Sequence, residues 1–194
     1  MKALTIRQPW ASLIALGVKT IETRSWRAPQ SLIGQTIAIH AGKALDGRHF
    51  DQFGEWSLHV PPYIDGLPQL RRLGAIGPDG NSLVMEHVRV LPLGAIVATA
   101  TLADCLPMEA LDHPEPSDKS LDCGHVIYLW SDPAWAGWAQ LVYRHEVPTQ
   151  EWDVSSQLPY GDFQPGRWAW ILTDVQPCDP VPVKGKQGLW VWQQ

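Results

Sequence analysis

The stretch GAIVATATL, residues 94–102, carries the clearest strand signal in the chain. It is apolar on both faces, which is typical of a strand covered from both sides, so we expect it to be central in a sheet. Shorter strand patterns lie on either side of it in the sequence, at residues 3–6, 37–40, 167–172 and 189–192. The chain therefore contains several short strands spread from one end to the other.

One short helix is predicted near the start of the chain. Apolar residues recur at helical spacing from Trp10, Pro9 suits a first helical position and Gly17 suits a C-terminal stop, which together predict a helix over residues 9–17. An extended segment follows at residues 20–24. Short strands, one early helix and no β-α-β alternation predict an α+β, mostly β fold, namely a small β-barrel with helical and loop insertions.

The net charge of −5 over 194 residues is unevenly distributed. Residues 1–50 carry seven Lys/Arg against two Asp/Glu, residues 51–162 carry five against sixteen, and residues 163–194 carry three against two. Because charges more than about 10 Å apart are largely screened, the acidic total does not argue against an anionic ligand. The basic N-terminal segment would attract such a ligand, or it would be one pole of a dipolar surface that binds nothing.

The three cysteines and seven histidines form no paired ligand spacing. We therefore expect no disulfide framework, no metal site and no cofactor. The chain has no leader-like start and no apolar run near the roughly 18 residues that span a bilayer, so we expect a cytoplasmic protein without membrane association. The sequence leaves the oligomeric state open.

The densest charged group is GVKTIETR, residues 17–24, directly after the helix stop. Lys19 and Arg24 suit phosphate oxygens, lysine as a point charge and arginine as a planar fork. Glu22 and Arg24 alternate in an extended segment and should face the same side. Glu22 would accept a hydrogen bond from a base amino group, or it would close a salt-bridged trio with its neighbours. Trp26 would stack on a base, at about 1–3 kcal/mol, or pack inside the fold.

Three stretches resemble the ASCH domain family, a branch of the PUA-like β-barrels. Residues 7–26, RQPWASLI to ETRSW, match the family element G-x-K-x-x-E-x-R; residues 34–43 surround the core IHA; residues 166–190 run from GRWAW to KGKQGLW. The resemblance implies a PUA-like barrel with a cleft near the early helix and a role in binding RNA or other nucleic acid. Some short members are similar to amidohydrolases of acylated cytidine, and another branch is associated with ribonuclease activity.

The resemblance also implies how the chain is organised. We expect a single ASCH/PUA-like domain over residues 1–194, with insertions that are specific to this protein. The family-matching parts are residues 1–43, 94–104 and 163–194, and the insertions are about residues 44–92 and 106–160.

Further binding residues are expected outside the charged group. The helix start at Pro9 offers free N–H groups, and a glycine-flanked turn near residue 185 would form either an anion-binding nest or a solvated loop. His40 would line the cleft or be a satisfied half-buried histidine. The expected ligand-binding residues are Gln8, Pro9, Lys19, Glu22, Arg24, Trp26, His40, Lys43, Lys184, Lys186 and Gln187.

Binding of RNA, another nucleic acid or a nucleotide-like molecule without a metal is the leading hypothesis. The runner-up is a metal-independent hydrolase on a modified nucleoside or RNA, with Lys19 and Glu22 as its catalytic residues. Glu22 stands where the amidohydrolase-like members place a threonine nucleophile, and a carboxylate cannot accept the acyl group in the same way, so we favour binding over catalysis. A third hypothesis is a protein-interaction module that uses the acidic middle, residues 44–92 or 106–160.

Overall fold

The computed structural model describes most of the two ends of the chain and three strands between them. The described residues are 1–45, 91–111, 125–130, 139–143 and 154–193. Most of the two expected insertions, about residues 44–92 and 106–160, lies outside these ranges.

The described residues are mostly in strands. The strands are β1 (Lys2–Gln8), β2 (Ile21–Arg24), β3 (Thr36–Leu45), β4 (Ala95–Leu111), β5 (His125–Trp130), β6 (Ala139–Tyr143), β7 (Trp168–Pro182) and β8 (Leu189–Val191). Within the described ranges the helices are α1 (Trp10–Ala15) and two 3₁₀ turns, Gln30–Leu32 and Ser155–Tyr160. Backbone pairing orders the strands β2-β7-β4-β3-β1-β8, with β5 beside β4 and β6 beside β5. None of the described helices is long and apolar enough to cross a bilayer.

The chain divides into two compact units. The first unit comprises Met1–Val18, Thr36–Ala100 and Asp174–Gln194. The second unit comprises Lys19–Gln35 and Thr101–Thr173.

The first unit is built around β1, which pairs in parallel with β3 and antiparallel with β8. Apolar side chains from all three strands and from the start of β4 are buried together, because alternate residues of each strand point to the same face. This core cluster contains Ala3, Ala38, Ile96, Trp190 and Trp192.

The N-terminal end of α1 is capped by a residue of β1, and the sequence predicts this cap only in part. Pro9 is the N-cap rather than the first helical residue, and the N–H of Ser12 donates to the side-chain oxygen of Gln8 at 3.1 Å. At the other end Gly17 has φ +72°, a left-handed conformation that favours glycine. The N–H groups of Gly17 and Val18 donate to Ile14 and Leu13, so the predicted stop is a Schellman motif.

The second unit contains the antiparallel pair β2–β7, the parallel pair β4–β5 and the antiparallel pair β5–β6. Its buried core cluster contains Ile21, Leu106, Met108, Val154, Ala169 and Ile171.

The predicted central strand is confirmed and is longer than expected. An excursion was expected from residue 106, but β4 continues to Leu111. The physical reason is an alternation that the proline hides: Leu106 and Met108 are buried, while Pro107 between them faces outward. Strands β5 and β6 lie within the expected insertion at about residues 106–160. The turn expected near residue 185 follows β7, which ends at Pro182.

Candidate functional site

The pairing of β2 with β7 places the charged side chains of the motif on one face of the strand pair and the core cluster on the other. Ile21 lies opposite Ile171 and Thr23 opposite Ala169, and the apolar members of these pairs belong to the core cluster. The intervening residues point to the other face, where Glu22 lies opposite Trp170 and Arg24 opposite Trp168. One face of the strand pair therefore carries an acid, a base and two tryptophans.

The three charged residues of the motif form one ion-pair group, as one of the two predicted interpretations had it. The Nζ atom of Lys19 lies 3.2 Å from Oε2 of Glu22, and Nε of Arg24 lies 3.1 Å from Oε1. The side chains are 1%, 10% and 20% exposed for Lys19, Glu22 and Arg24. The carboxylate is thus held between two cations, and only the arginine end of the group approaches solvent.

Lys19 is buried and its ammonium group is surrounded by acceptors. Besides Glu22, it donates to the carbonyl oxygens of Ile21 at 2.6 Å and Tyr160 at 2.5 Å. Burial lowers the pKa of Lys19, and the neighbouring Glu22 opposes this shift. Three acceptors match the three protons of an ammonium group. The geometry therefore gives Lys19 a positioning role within the protein.

A segment far away in sequence covers this lysine. The backbone N–H of Thr20 donates to the Gln157 side chain, and that of Asp162 donates to the hydroxyl of Thr23 at 2.9 Å. Arg167 closes the segment by donating to the carbonyl of Asp162 at 3.0 Å and by pairing with its carboxylate. A side chain at Gly161 would lie 2.9 Å from a Thr23 carbon, so glycine permits this approach.

Two arginines and two tryptophans lie around the exposed end of the ion-pair group. Trp26 meets the buried ring of Trp170 edge-on, with centroids 4.7 Å apart, and its carbonyl accepts a hydrogen bond from the Trp170 indole. The guanidinium of Arg27 lies over the ring of Trp168, 5.3 Å from its centroid. Trp26 and Trp168 are half-buried and Arg27 is exposed. We call the set of Arg24, Trp26, Arg27 and Trp168 the Arg–Trp face.

The expected residues of the first unit have different environments. Gln8 is fully buried, and its side-chain nitrogen donates to Ser12 and to the carbonyl of Pro92. These contacts and its cap on α1 make Gln8 part of the internal structure of this unit. Pro9 is buried as well.

His40 is the satisfied histidine of the two predicted alternatives. It is 3% exposed, with Nδ1 3.1 Å from the Thr5 hydroxyl and Nε2 3.3 Å from the carbonyl of Val183. The edge of Trp190 packs against its ring. Burial lowers the pKa of His40, although the Val183 carbonyl opposes this shift. The four remaining expected residues, Lys43, Lys184, Lys186 and Gln187, are exposed.

The structure thus brings together four of the expected residues in the second unit, namely Lys19, Glu22, Arg24 and Trp26. Sequence analysis did not identify Tyr160, Asp162, Arg167 or Trp168 as site residues. Their partners, at residues 19–24, are about 140 residues away in the chain, and no local pattern signals such a contact. Among the described residues, no group of three His, Cys, Asp or Glu lies together as a metal site would require.

The structure combines a mostly β fold and an early helix with an ion-pair group of Lys19, Glu22 and Arg24, which is one of the two alternatives that the motif left open. The family model of the ASCH domain matches residues 4–152, about three quarters of the chain. The chain belongs to the ASCH domain family, and the predicted α+β, mostly β, PUA-like class is confirmed. The match includes the charged motif, whereas the third resembling stretch, residues 166–190, lies beyond it. No curated protein matches the chain significantly.

Proposed function

We propose that this protein binds nucleic acid, or a nucleotide of the same chemistry, through the Arg–Trp face. The observation that carries the proposal is the geometry of the β2–β7 pair. On one face of this pair Arg24 and Trp168 lie opposite each other beside the buried carboxylate of Glu22, and the half-buried Trp26 and the exposed Arg27 follow within three residues of the end of β2. Aromatic rings that stack on bases, together with cations that contact phosphate, are the combination that single-stranded nucleic acid requires.

Each member of the face has a distinct part in this proposal. Trp168 offers a ring whose face already attracts a cation, the Arg27 guanidinium 5.3 Å away. A base would stack on the same ring, and Arg27 would then contact the adjacent phosphate. Arg24 is fixed by its pair with Glu22, so little side-chain freedom is lost when it meets a ligand.

Lys19 contributes in a way that differs from the expected phosphate contact. Its side chain is 1% exposed and its ammonium group contacts three protein oxygens, so it acts on the ligand through Glu22. The order of contacts is Lys19 to Glu22 to Arg24, which fixes the arginine from the inside of the fold.

The proposal is tested by fluorescence anisotropy with fluorescein-labelled 12-mers of oligo(U) and oligo(dT) at about 50 and 200 mM salt. Trp168→Ala should weaken binding by about 5- to 150-fold, the equivalent of about 1–3 kcal/mol of stacking. Arg27→Ala should weaken it and lower the slope of log K against log salt by about 0.7. Arg7→Ala is the matched control, because Arg7 is exposed and lies in the first unit.

Thermal unfolding of each variant establishes that the protein is folded at the assay temperature. The proposal is wrong if neither oligonucleotide binds at low salt, or if Trp168→Ala and Arg27→Ala bind as the wild type does. A stronger signal for oligo(U) than for oligo(dT) would favour RNA as the ligand.

Hydrolysis of a modified nucleoside is a second candidate, because the buried Lys19 has a lowered pKa and contacts Glu22, as paired acid–base groups in active sites do. Incubation with N4-acetylcytidine followed by liquid chromatography and mass spectrometry tests it. We expect no conversion, since the ammonium of Lys19 is enclosed by protein oxygens. Release of acetate and cytidine that Glu22→Gln abolishes would establish the hydrolase instead.

A further inference from the structure

The segment between β7 and β8, residues 183–188, is held near both ends by hydrogen bonds to other parts of the first unit. At its start the N–H of Val183 donates to the carbonyl of Gly94 at 2.9 Å. Further along, the hydroxyl of Thr5 donates to the carbonyl of Lys186 at 2.5 Å, and the N–H of Thr5 donates to Gly188 at 2.9 Å. We call residues 183–187 the lysine loop, because Lys184 and Lys186 are both exposed on it.

The centre of the lysine loop rests directly on a buried ring. A Cβ atom at Gly185 would lie 2.1 Å from Cε1 of His40, so no side chain fits between the loop and the histidine. His40 itself contacts the hydroxyl of Thr5 and the carbonyl of Val183. The loop backbone is therefore supported from below, while the two lysines and Gln187 point into solvent.

A third lysine lies beside the start of the loop. The side chain of Lys43 packs against Gly94, where an added Cβ would be 3.0 Å from its Cε atom. The carbonyl of the same glycine accepts the hydrogen bond from Val183. Lys43 and the first residue of the lysine loop thus share one neighbour, and Lys43 is exposed.

The described part of the first unit has an excess of cations. It contains five Lys/Arg and two Asp/Glu, and both acids, Asp174 and Asp179, lie in β7. The described part of the second unit contains four of each sign. Cations on a rigid backbone suit a polyanion, because the loop loses little conformational entropy when the ligand binds.

We propose that the lysine loop and Lys43 form a second binding site, for the phosphate backbone of a nucleic acid, contained within the first unit. The nature of the ligand rests on the proposed function, but the site recognises phosphate without the base. Lys184 and Lys186 each contact a phosphate, and the packing of Gly185 on His40 holds them at a constant separation.

The experiment uses the full chain and two probes, fluorescein-labelled oligo(U) 12-mer and inorganic polyphosphate, which has no bases. The double variant Lys184→Ala/Lys186→Ala should weaken polyphosphate binding at least tenfold. It should also lower the salt slope for oligo(U) by about 1.4, which corresponds to two lost phosphate contacts. Lys2→Ala/Arg7→Ala is the matched control, since it removes two exposed cations from the same unit and should change either affinity less than twofold.

Gly185→Ala separates the geometry of the loop from its charge. This variant keeps every lysine but places a methyl group against His40, so polyphosphate affinity should fall although the net charge is unchanged. If the variant does not fold, the double lysine variant decides alone.

The proposal is overturned if Lys184→Ala/Lys186→Ala binds polyphosphate like the wild type, if the control pair weakens binding equally, or if polyphosphate binds while oligo(U) does not. Trp168→Ala should leave polyphosphate binding intact. If the Arg–Trp variants are without effect on oligo(U) but the lysine variants weaken both probes, the lysine-loop site stands and the proposed role of the Arg–Trp face fails.

Discussion

Replacing Lys19 by methionine tests the ion-pair group at its most buried point. Methionine keeps much of the length of the side chain but removes the ammonium, which leaves the carbonyls of Ile21 and Tyr160 and one side of Glu22 without their donor. Removal of one partner from a buried pair typically costs about 3–5 kcal/mol. Burial lowers the pKa of Lys19 despite the neighbouring Glu22, so desolvation of the ammonium outweighs this attraction. We therefore expect the lower end, a loss of about 3 kcal/mol in the free energy of unfolding.

Urea denaturation at pH 7 and 25 °C, followed by tryptophan fluorescence, measures this loss. Lys2→Met is the control, because Lys2 is exposed and surface changes are usually within about 0.5 kcal/mol. The double variant Lys19→Met/Glu22→Gln also removes the charge of Glu22, which has lost its lysine partner. Its loss in the free energy of unfolding should be smaller than the sum of the losses in the two single variants by about 1–3 kcal/mol. A loss below about 1 kcal/mol in Lys19→Met, or strict additivity in the double variant, would refute the buried ion-pair group.

Three further predictions concern other described residues. Gln8→Ala should lower the free energy of unfolding by about 1–2 kcal/mol, because it leaves the N–H of Ser12 without its acceptor; a melting temperature equal to that of the exposed control Gln35→Ala would contradict this. Because burial lowers the pKa of His40 from its ordinary 6.5, the unfolded chain binds this proton first on acidification. The contribution of neutral His40 to the free energy of unfolding is complete above pH 6.5 and is lost as the pH falls through the pKa of His40 in the native protein. His40→Gln should therefore reduce the difference between the urea midpoints at pH 7.5 and 5.5. Cys178 is exposed and Cys105 is buried, so iodoacetamide should label Cys178 first in the native protein, as peptide mass spectrometry would show; equal rates would disprove the burial of Cys105.

The parts of the fold that the sequence predicts are those in which local pattern and tertiary packing agree. Residues 94–102 are apolar on both faces and lie in β4, and Gly17 ends α1 because its left-handed backbone suits glycine. The pattern is misleading at Pro107, which usually breaks a strand but here occupies an outward position between Leu106 and Met108.

Only the part of the candidate site that lies within one strand could be predicted from the sequence. Glu22 and Arg24 share a face because they alternate in a strand, and this period is written in the sequence itself. The burial of Lys19 depends instead on the carbonyl of Tyr160, which is 141 residues away. Every residue type carries a backbone carbonyl, so no pattern of residues could indicate that this lysine contacts the protein rather than a ligand.

The ion pairs within the motif determine which residues can be substituted to test binding. Lys19, Glu22 and Arg24 are joined by ion pairs, so a substitution at any of them alters the stability of the second unit together with the surface that a ligand would meet. A loss of binding in Lys19→Met would therefore not identify a ligand contact. Arg27 and Trp168 lie outside the G-x-K-x-x-E-x-R element and contact each other near the surface, where substitutions disturb the core least. Binding that depends on these two residues, in variants that unfold like the wild type, would assign the ligand to the Arg–Trp face.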